Sequence, residues 1–363
     1  MALSPFCKRS QSSKPNGRDE THPTRDEPVD AVPTITTVAR LANVSVASAS
    51  RVLNGIRTSP ATHARVTEAA EAVDYAPNAA ARSLRSRRTG QIAFVMPDVA
   101  NPVYTTMVGS IQEVARAHGW RLMLHSTGAD SEDELAMLRD LRHRFVDGMI
   151  LASLHLTDAH ADELRRAAAP VIVIGRPTKG TPVDTVRAYS RKGAAEAVRH
   201  LHAGGRRRIA FVNGPGHTAP GASRRRGYLD GLRLCGLPPD DALMEVAEDF
   251  MIEPGRCAAE RLLARARPDA IFCANDLLAV GALSALREVG RDVPGDVALV
   301  GMDDTPLVEV TWPPLTSVDL GSAERARMAA ELLLKRIARP SRKTRVLGVE
   351  PRLVIRASSA VTA

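Results

Sequence analysis

Seven apolar runs of strand length, "IAFVMP", "RLMLHS", "GMILAS", "VIVIG", "IAFVNG", "AIFCAN" and "VALVGM", punctuate the chain between residues 90 and 303. Amphipathic stretches of helical length lie among them, for example 104–118 and 191–203. Strand-length apolar runs that alternate with helical stretches let successive strands pair in parallel through the intervening helices. This part of the chain is therefore expected to be α/β with parallel sheets. About 270 residues exceed one comfortable hydrophobic core. The break at "VDTVRAYS", residues 183–190, points to two lobes with a ligand between them.

The N-terminal part has a different texture. Residues 1–33 are rich in Ser, Pro, Asp, Glu and Arg and poor in apolar groups, so they read as a disordered leader. Three short helices follow. The first lies in "TTVARLAN" from Thr36, the second in "VSVASASRVLN" with Ser45 as N-cap, and the third in "PATHARVTEAAEAV" behind the N-cap Ser59 and Pro60. Val38, Ala39 and Ala42 would face Ala49, Val52 and Leu53, with Asn43 in the turn, where asparagine tolerates left-handed backbone. This is a helix-turn-helix pattern. On the second helix, Val46, Ala47, Ser50, Arg51 and Asn54 fall along one side, short apart from one long cation. Such a face fits flat into a groove.

The net charge of +8 is unevenly spread. Residues 1–33 are balanced, whereas residues 34–89 carry eight arginines against Glu68, Glu71 and Asp74. That concentration is the footprint of a module that binds a polyanion. Cys7, Cys235, Cys257 and Cys273 form no C-x-x-C pair and read as free thiols. His200 and His202 lack a third donor for a metal. No apolar run reaches the length of a membrane span and no signal-peptide core is present, so a cytoplasmic protein without membrane attachment is expected. No H-E-x-x-H, G-x-S-x-G, P-loop lysine or G-x-G-x-x-G occurs, and "NGPGHTAPG" resembles a phosphate loop only superficially. Neither an enzyme nor a cofactor is expected.

From residue 34 onward the chain resembles the lactose/galactose repressor (LacI/GalR) family. The resemblance rests on "TTVARLANVSVASASRVLN", "DYAPNAAARSL", "PDVANPVY", "VDGMIL", "CANDLLAVGAL", "VGMDD" and "PPLTSV", which occur in the family's order. It implies an all-α helix-turn-helix domain followed by a core of two Rossmann-like lobes, similar to periplasmic binding proteins. The implied boundaries are 34–77 for the DNA-binding domain, 78–89 for a hinge helix and linker, and 90–359 for the core. Within the core, one lobe would comprise about 90–188 plus 320–349 and the other 190–318 plus 350–359.

By the matched pattern, Val46, Ala47 and Arg51 would read bases in the major groove, apolar groups meeting thymine methyls and arginine meeting guanine. Thr36, Ser45, Ser48, Ser50, Asn54, Thr62 and His63 would contact phosphates and set register. Asn78, Ala81, Leu84 and Arg85 would form a minor-groove hinge with Leu84 as its wedge. In the core, Asn275, Asp303 and Tyr104 lie just beyond apolar runs, where open α/β sheets bind ligands. The resemblance adds Arg224 and Phe250 as effector contacts. The chain departs from the family at Tyr189 and Ser190, where many members have Asp-Asn.

The function so implied is a transcriptional regulator, expected to be a repressor, whose affinity for pseudo-palindromic operator DNA is set by a sugar or related metabolite. A solute-binding protein of a transport system is the alternative, and the basic helix-turn-helix argues against it. The closing "LVIRASSAVTA" has no leucine heptads, so a homodimer and not a tetramer is expected. Effector identity, and whether it releases or promotes DNA binding, stay open at this point.

Overall fold

The computed structural model describes residues 33–76, 88–339 and 343–360. The hinge positions Asn78, Ala81, Leu84 and Arg85 lie outside the described residues, as does the expected leader up to residue 32. The chain divides into two compact units, Met1–Asn78 and Ala79–Ala363.

The first unit contains α1 (Ile35–Leu41), α2 (Val46–Leu53) and α3 (Pro60–Ala72). Each helix starts at a hydroxyl that accepts an otherwise unpaired first-turn N–H: Thr34 from Thr37, Ser45 from Ser48 and Ser59 from Thr62. Asn43 turns the chain between α1 and α2 at φ 49°, the left-handed conformation that asparagine tolerates. Val38, Ala39, Ala42, Ala49, Val52 and Val66 make the shared core, with Leu53 and Tyr75 against it. These side chains are mostly small, so the three helices pack closely around little volume.

The second unit holds two six-stranded sheets. The first has the order β11-β5-β4-β3-β1-β2 and is parallel throughout. Its strands are β1 (Gln91–Met96), β2 (Arg121–Ser126), β3 (Met149–Ala152), β4 (Val171–Ile174), β5 (Asp184–Ala188) and β11 (Val346–Val349). The second has the order β12-β10-β9-β8-β6-β7. Its strands are β6 (Ile209–Asn213), β7 (Met244–Val246), β8 (Ala270–Cys273), β9 (Ala298–Met302), β10 (Thr316–Asp319) and β12 (Arg352–Val354), the last antiparallel to β10. The helices that cover the first sheet are α4 (Pro102–Ala117), α5 (Ser131–Asp140), α6 (Asp158–Arg166) and, much later in the chain, α12 (Ser322–Ala338). Those of the second are α7 (Ser190–Ala203), α8 (Ala219–Leu234), α9 (Ile252–Arg265), α10 (Asp276–Glu288) and the short α11 (Leu307–Val310).

Strands β3, β4, β6, β8 and β9 are buried along their whole length, as the continuous apolar runs require. The core of the second lobe is centred on Phe211, stacked on Tyr228 at 4.8 Å and on Phe272 at 5.2 Å. The stretch 183–190 runs from the first sheet to the start of α7. Most of it is β5, inside the first sheet between β4 and β11, and only Tyr189 and Ser190 lead into the other lobe. Its polar appearance has a cause: buried Asp184 is held bidentately by Arg336 at 2.7 and 2.9 Å, a partner distant in sequence.

Candidate effector cleft and DNA-facing helix

A cavity of about 530 Å³ lies between the two lobes, lined by the segments that leave the carboxyl ends of β1, β3, β6, β8 and β9. Tyr104, Arg224, Phe250, Asn275 and Asp303 all line it. Their convergence follows from topology, because parallel strands deliver every outgoing loop to the same edge.

Arg224, on α8, is buried and forms the floor with Asp303. One terminal nitrogen donates to the Ala274 carbonyl at 2.7 Å and the other to Asp303 at 3.1 Å, while its Nε is buried with no partner. Burial pushes the Asp303 carboxyl upward, and the nearby Arg224 and Arg325 guanidiniums pull it part of the way back. Asp303 also holds φ 108°, a region that non-glycine residues rarely occupy and that costs about 1–3 kcal/mol. Its N–H donates to Val318 at 2.8 Å, which helps fix that conformation. Phe250 is 8% exposed and closes one side; the Arg224 guanidinium lies 5.8 Å from its ring centroid. A Cβ at Gly214 would come within 2.3 Å of that ring, so glycine is required there.

Asn275, also on the cavity wall, has partners within the protein. Its Oδ1 accepts from Leu278 N–H at 2.9 Å, capping α10, and its Nδ2 donates to the Phe250 carbonyl at 2.9 Å. The amide therefore positions Phe250 and α10, and keeps one N–H and one oxygen lone pair beyond these two bonds. Next to it, Asp276 is 1% exposed and accepts from Thr305 N–H, Thr305 Oγ1 and Ser317 Oγ. Burial raises its carboxyl to about 7, with the Asp303 charge adding to the rise and the three hydrogen bonds opposing it.

Sequence reading did not single out Arg325, Arg187 or Glu134, which also line the cavity. Arg325 donates to the Leu320 carbonyl at 3.0 Å and to Ser322 Oγ at 3.1 Å. Burial lowers its pKa. Glu134 comes from α5 with 2% of its surface exposed. Arg325 and Glu134 lie in charged helical stretches, "SAERARM" and "SEDELAML", which read as solvated faces.

In the first unit, Val46, Ala47 and Arg51 are exposed on one face of α2, Val46 by 42%. Thr36 and His63 are also exposed. Ser45 and Ser48 stand with hydroxyls 3.0 Å apart, and Thr62 meets Ser59 at 2.8 Å. Ser50 corrects the expectation of a phosphate contact, being only 7% exposed. Asn54 Nδ2 donates to its carbonyl at 2.7 Å and to its hydroxyl at 3.3 Å. That pairing draws both side chains onto the helix end. Among the described residues no helix is long and apolar enough to cross a membrane.

Comparison with known proteins agrees with this architecture. Residues 34–78 match the model of bacterial regulatory proteins of the lacI family, and residues 198–359 match that of a periplasmic binding protein-like domain. The HTH-type transcriptional regulator DegA of Bacillus subtilis is 34% identical over 336 residues, covering 90% of this chain and 98% of that protein. The ribose operon repressor of Escherichia coli is 32% identical, covering 90% and 99%. Among solved structures, the CelR–cellobiose complex shares 34% identity with a TM-score of 0.70, covering 90% of this chain and 99% of that one. The operator-bound lac repressor dimer, at 24% identity, covers 91% and 99% and shares the fold with a TM-score of 0.81. With a DNA-binding headpiece, a two-lobed core and end-to-end similarity to such regulators, this chain belongs to the LacI family of bacterial regulatory proteins and is a DNA-binding transcriptional regulator, not a transport protein.

Proposed function

We propose that the protein is a homodimeric repressor that binds a pseudo-palindromic operator through α2 and changes its affinity when a saccharide occupies the cleft. The observation that carries this reading is the cavity between the lobes, floored by the buried Arg224–Asp303 pair and walled by Phe250 and Tyr104. Apolar walls with a few convergent polar groups are what a small-molecule site requires. One relative is named for ribose and another was solved with cellobiose, which supports a saccharide here. Val46 and Ala47 meet thymine methyls, Arg51 pairs with a guanine, and Thr36, Ser45, Ser48, Asn54, Thr62 and His63 serve the phosphates. Binding without turnover suffices for this role.

A twofold partner is supported by exposed apolar side chains in both lobes: Met123 and Leu124 on the edge strand β2, and Val310 and Trp312, the latter 81% exposed. A thermal-shift screen of sugars and related metabolites, followed by titration of operator DNA with and without the hit, tests the reading. A true effector raises the melting temperature by mass action and alters operator affinity. A hit that stabilises the chain without moving operator affinity would remove the cleft from regulation. Light scattering that gave a stable tetramer at micromolar concentration would overturn the dimer.

A further inference from the structure

Of the charged residues that line the cleft, four are buried: Glu134 from the first lobe, Arg224 and Asp303 from the second, and Arg325 from α12. They are two carboxyls and two guanidiniums, so the buried wall is balanced in formal charge. Arg224 and Asp303 hold each other, and Arg325 is held by Leu320 and Ser322. Glu134 differs. It stands beside His160, Nε2 to Oε2 at 3.1 Å, and neither of these buried atoms has a hydrogen-bond partner of good geometry. The Thr157 N–H donates to His160 Nδ1 at 3.2 Å, which leaves the ring proton on Nε2. His160 is itself fully buried, so the pair is built into the lobe and is no accident of the surface.

A buried carboxyl with an unsatisfied oxygen on a cavity wall needs a donor. We propose that Glu134, oriented by His160, is the hydroxyl acceptor of the first lobe in the effector site. With Asp303 opposite, it selects an uncharged polyhydroxylated ligand against sugar acids and sugar phosphates. A neutral polyol donates hydroxyl protons to Glu134 and Asp303 and accepts from the unpartnered Nε of Arg224. A carboxylate or phosphate would bring uncompensated charge to a buried wall that is already balanced, and would face two acceptors that offer it no proton. This inference rests on the cleft being the effector site.

The test compares neutral mono- and disaccharides with aldonic acids, uronic acids and sugar phosphates, by thermal shift and calorimetry on the full-length protein and on Glu134→Gln, His160→Gln and Arg224→Ala. The expected result is binding of a neutral saccharide to the wild type at least tenfold tighter than its acid or phosphate. Glu134→Gln should weaken it tenfold or more and narrow the discrimination against the acid. His160→Gln should give a smaller loss in the same direction. A neutral ligand that Glu134→Gln binds within twofold of wild type overturns the role of Glu134. A preferred acid or phosphate whose binding Arg224→Ala abolishes overturns the selectivity while keeping the cleft as the site. A ligand insensitive to Arg224→Ala, or a panel in which nothing binds, overturns the reading of the cleft itself. The wild-type ligand preference decides the selectivity even if a variant fails to fold.

Discussion

On α2 the side chains proposed to meet DNA are short apart from Arg51 and mostly exposed, and Val46 leaves 42% of its surface in water. In the cleft, by contrast, Arg224, Asp303 and Arg325 are buried and already hydrogen-bonded to the protein before any ligand arrives. The two regions face different partners. A DNA groove is large and hydrated and supplies its own shape, so a reading face needs a rigid helix and little else. A small ligand offers few atoms, so its site must be held in place by the protein to avoid spending binding energy on ordering side chains. Mutations in the cleft should therefore disturb folding and binding together, whereas those on the DNA face should disturb binding alone.

The largest effect tests this contrast directly. Arg224→Ala leaves Asp303 buried without its cation and the Ala274 carbonyl without its donor. Breaking a buried pair by removing one partner costs about 3–5 kcal/mol. Chemical denaturation of the full chain should register that loss, the effector response should vanish, and operator binding under conditions that keep the protein folded should persist. A variant with the wild-type denaturation midpoint would mean that the pair serves the ligand only and that the cleft is not preorganised.

Asp276 gives the cleft side a pH signature. Its folded value of about 7 stands above the ordinary value near 3.8, so the native state keeps a proton that the unfolded state has already released between those limits. Stability contributed by this group should therefore fall as pH rises from about 4 to about 7, by at most about 1.4 kcal/mol per pH unit, and level off on either side. Asp276→Asn should remove that slope. Parallel stability–pH curves for the two proteins would show that Thr305 and Ser317 hold the carboxylate in its charged form after all.

On the DNA side, Arg51→Ala should weaken operator binding by about 1–3 kcal/mol and relax preference at one base pair per half-site. Because Arg51 is exposed, its removal should shift stability by no more than about 0.5 kcal/mol. Site selection with the mutant reads the first effect and denaturation the second. A large loss of stability would make Arg51 a structural residue and blur the distinction between the two regions.

The same contrast explains what could be read from the sequence. Strands whose whole length is apolar, and helices capped by Ser45 and Ser59, announce themselves because their causes are local. Strand β5 did not, since Asp184 is buried only through Arg336, which lies far along the chain. Strands β7 (MEV), β10 (TSVD) and β12 (RLV) include polar residues, so no apolar run marks them, and β11 (VLGV) is a mostly exposed edge strand. Positions at strand ends such as Tyr104 and Asp303 were legible because parallel topology dictates where loops converge. Arg325 and Glu134 were not, because their burial depends on segments distant in sequence. Ser50 was misplaced by helical periodicity alone: one residue's turn around α2, together with the Asn54 amide, puts it inside.

The smallest effect lies where the two kinds of construction meet. Ser45 is exposed and faces the phosphates in the proposed complex, yet its hydroxyl also accepts the Ser48 N–H at 3.1 Å and so starts α2. A hydroxyl can do both, having a proton to donate outward and lone pairs to accept inward. Ser45→Ala removes both roles and should cost about 1 kcal/mol of local stability, visible as faster hydrogen exchange at the Ser48 amide in the full chain, along with a modest loss of operator affinity. Ser45→Asp separates them. Aspartate is as good an N-cap as serine and suits the positive end of the helix, so Ser48 protection should hold or rise. Its charge repels phosphate, so operator affinity should fall below that of Ser45→Ala, most steeply at low salt. Wild-type operator affinity in Ser45→Asp would take Ser45 out of the DNA contact and leave it as a cap alone.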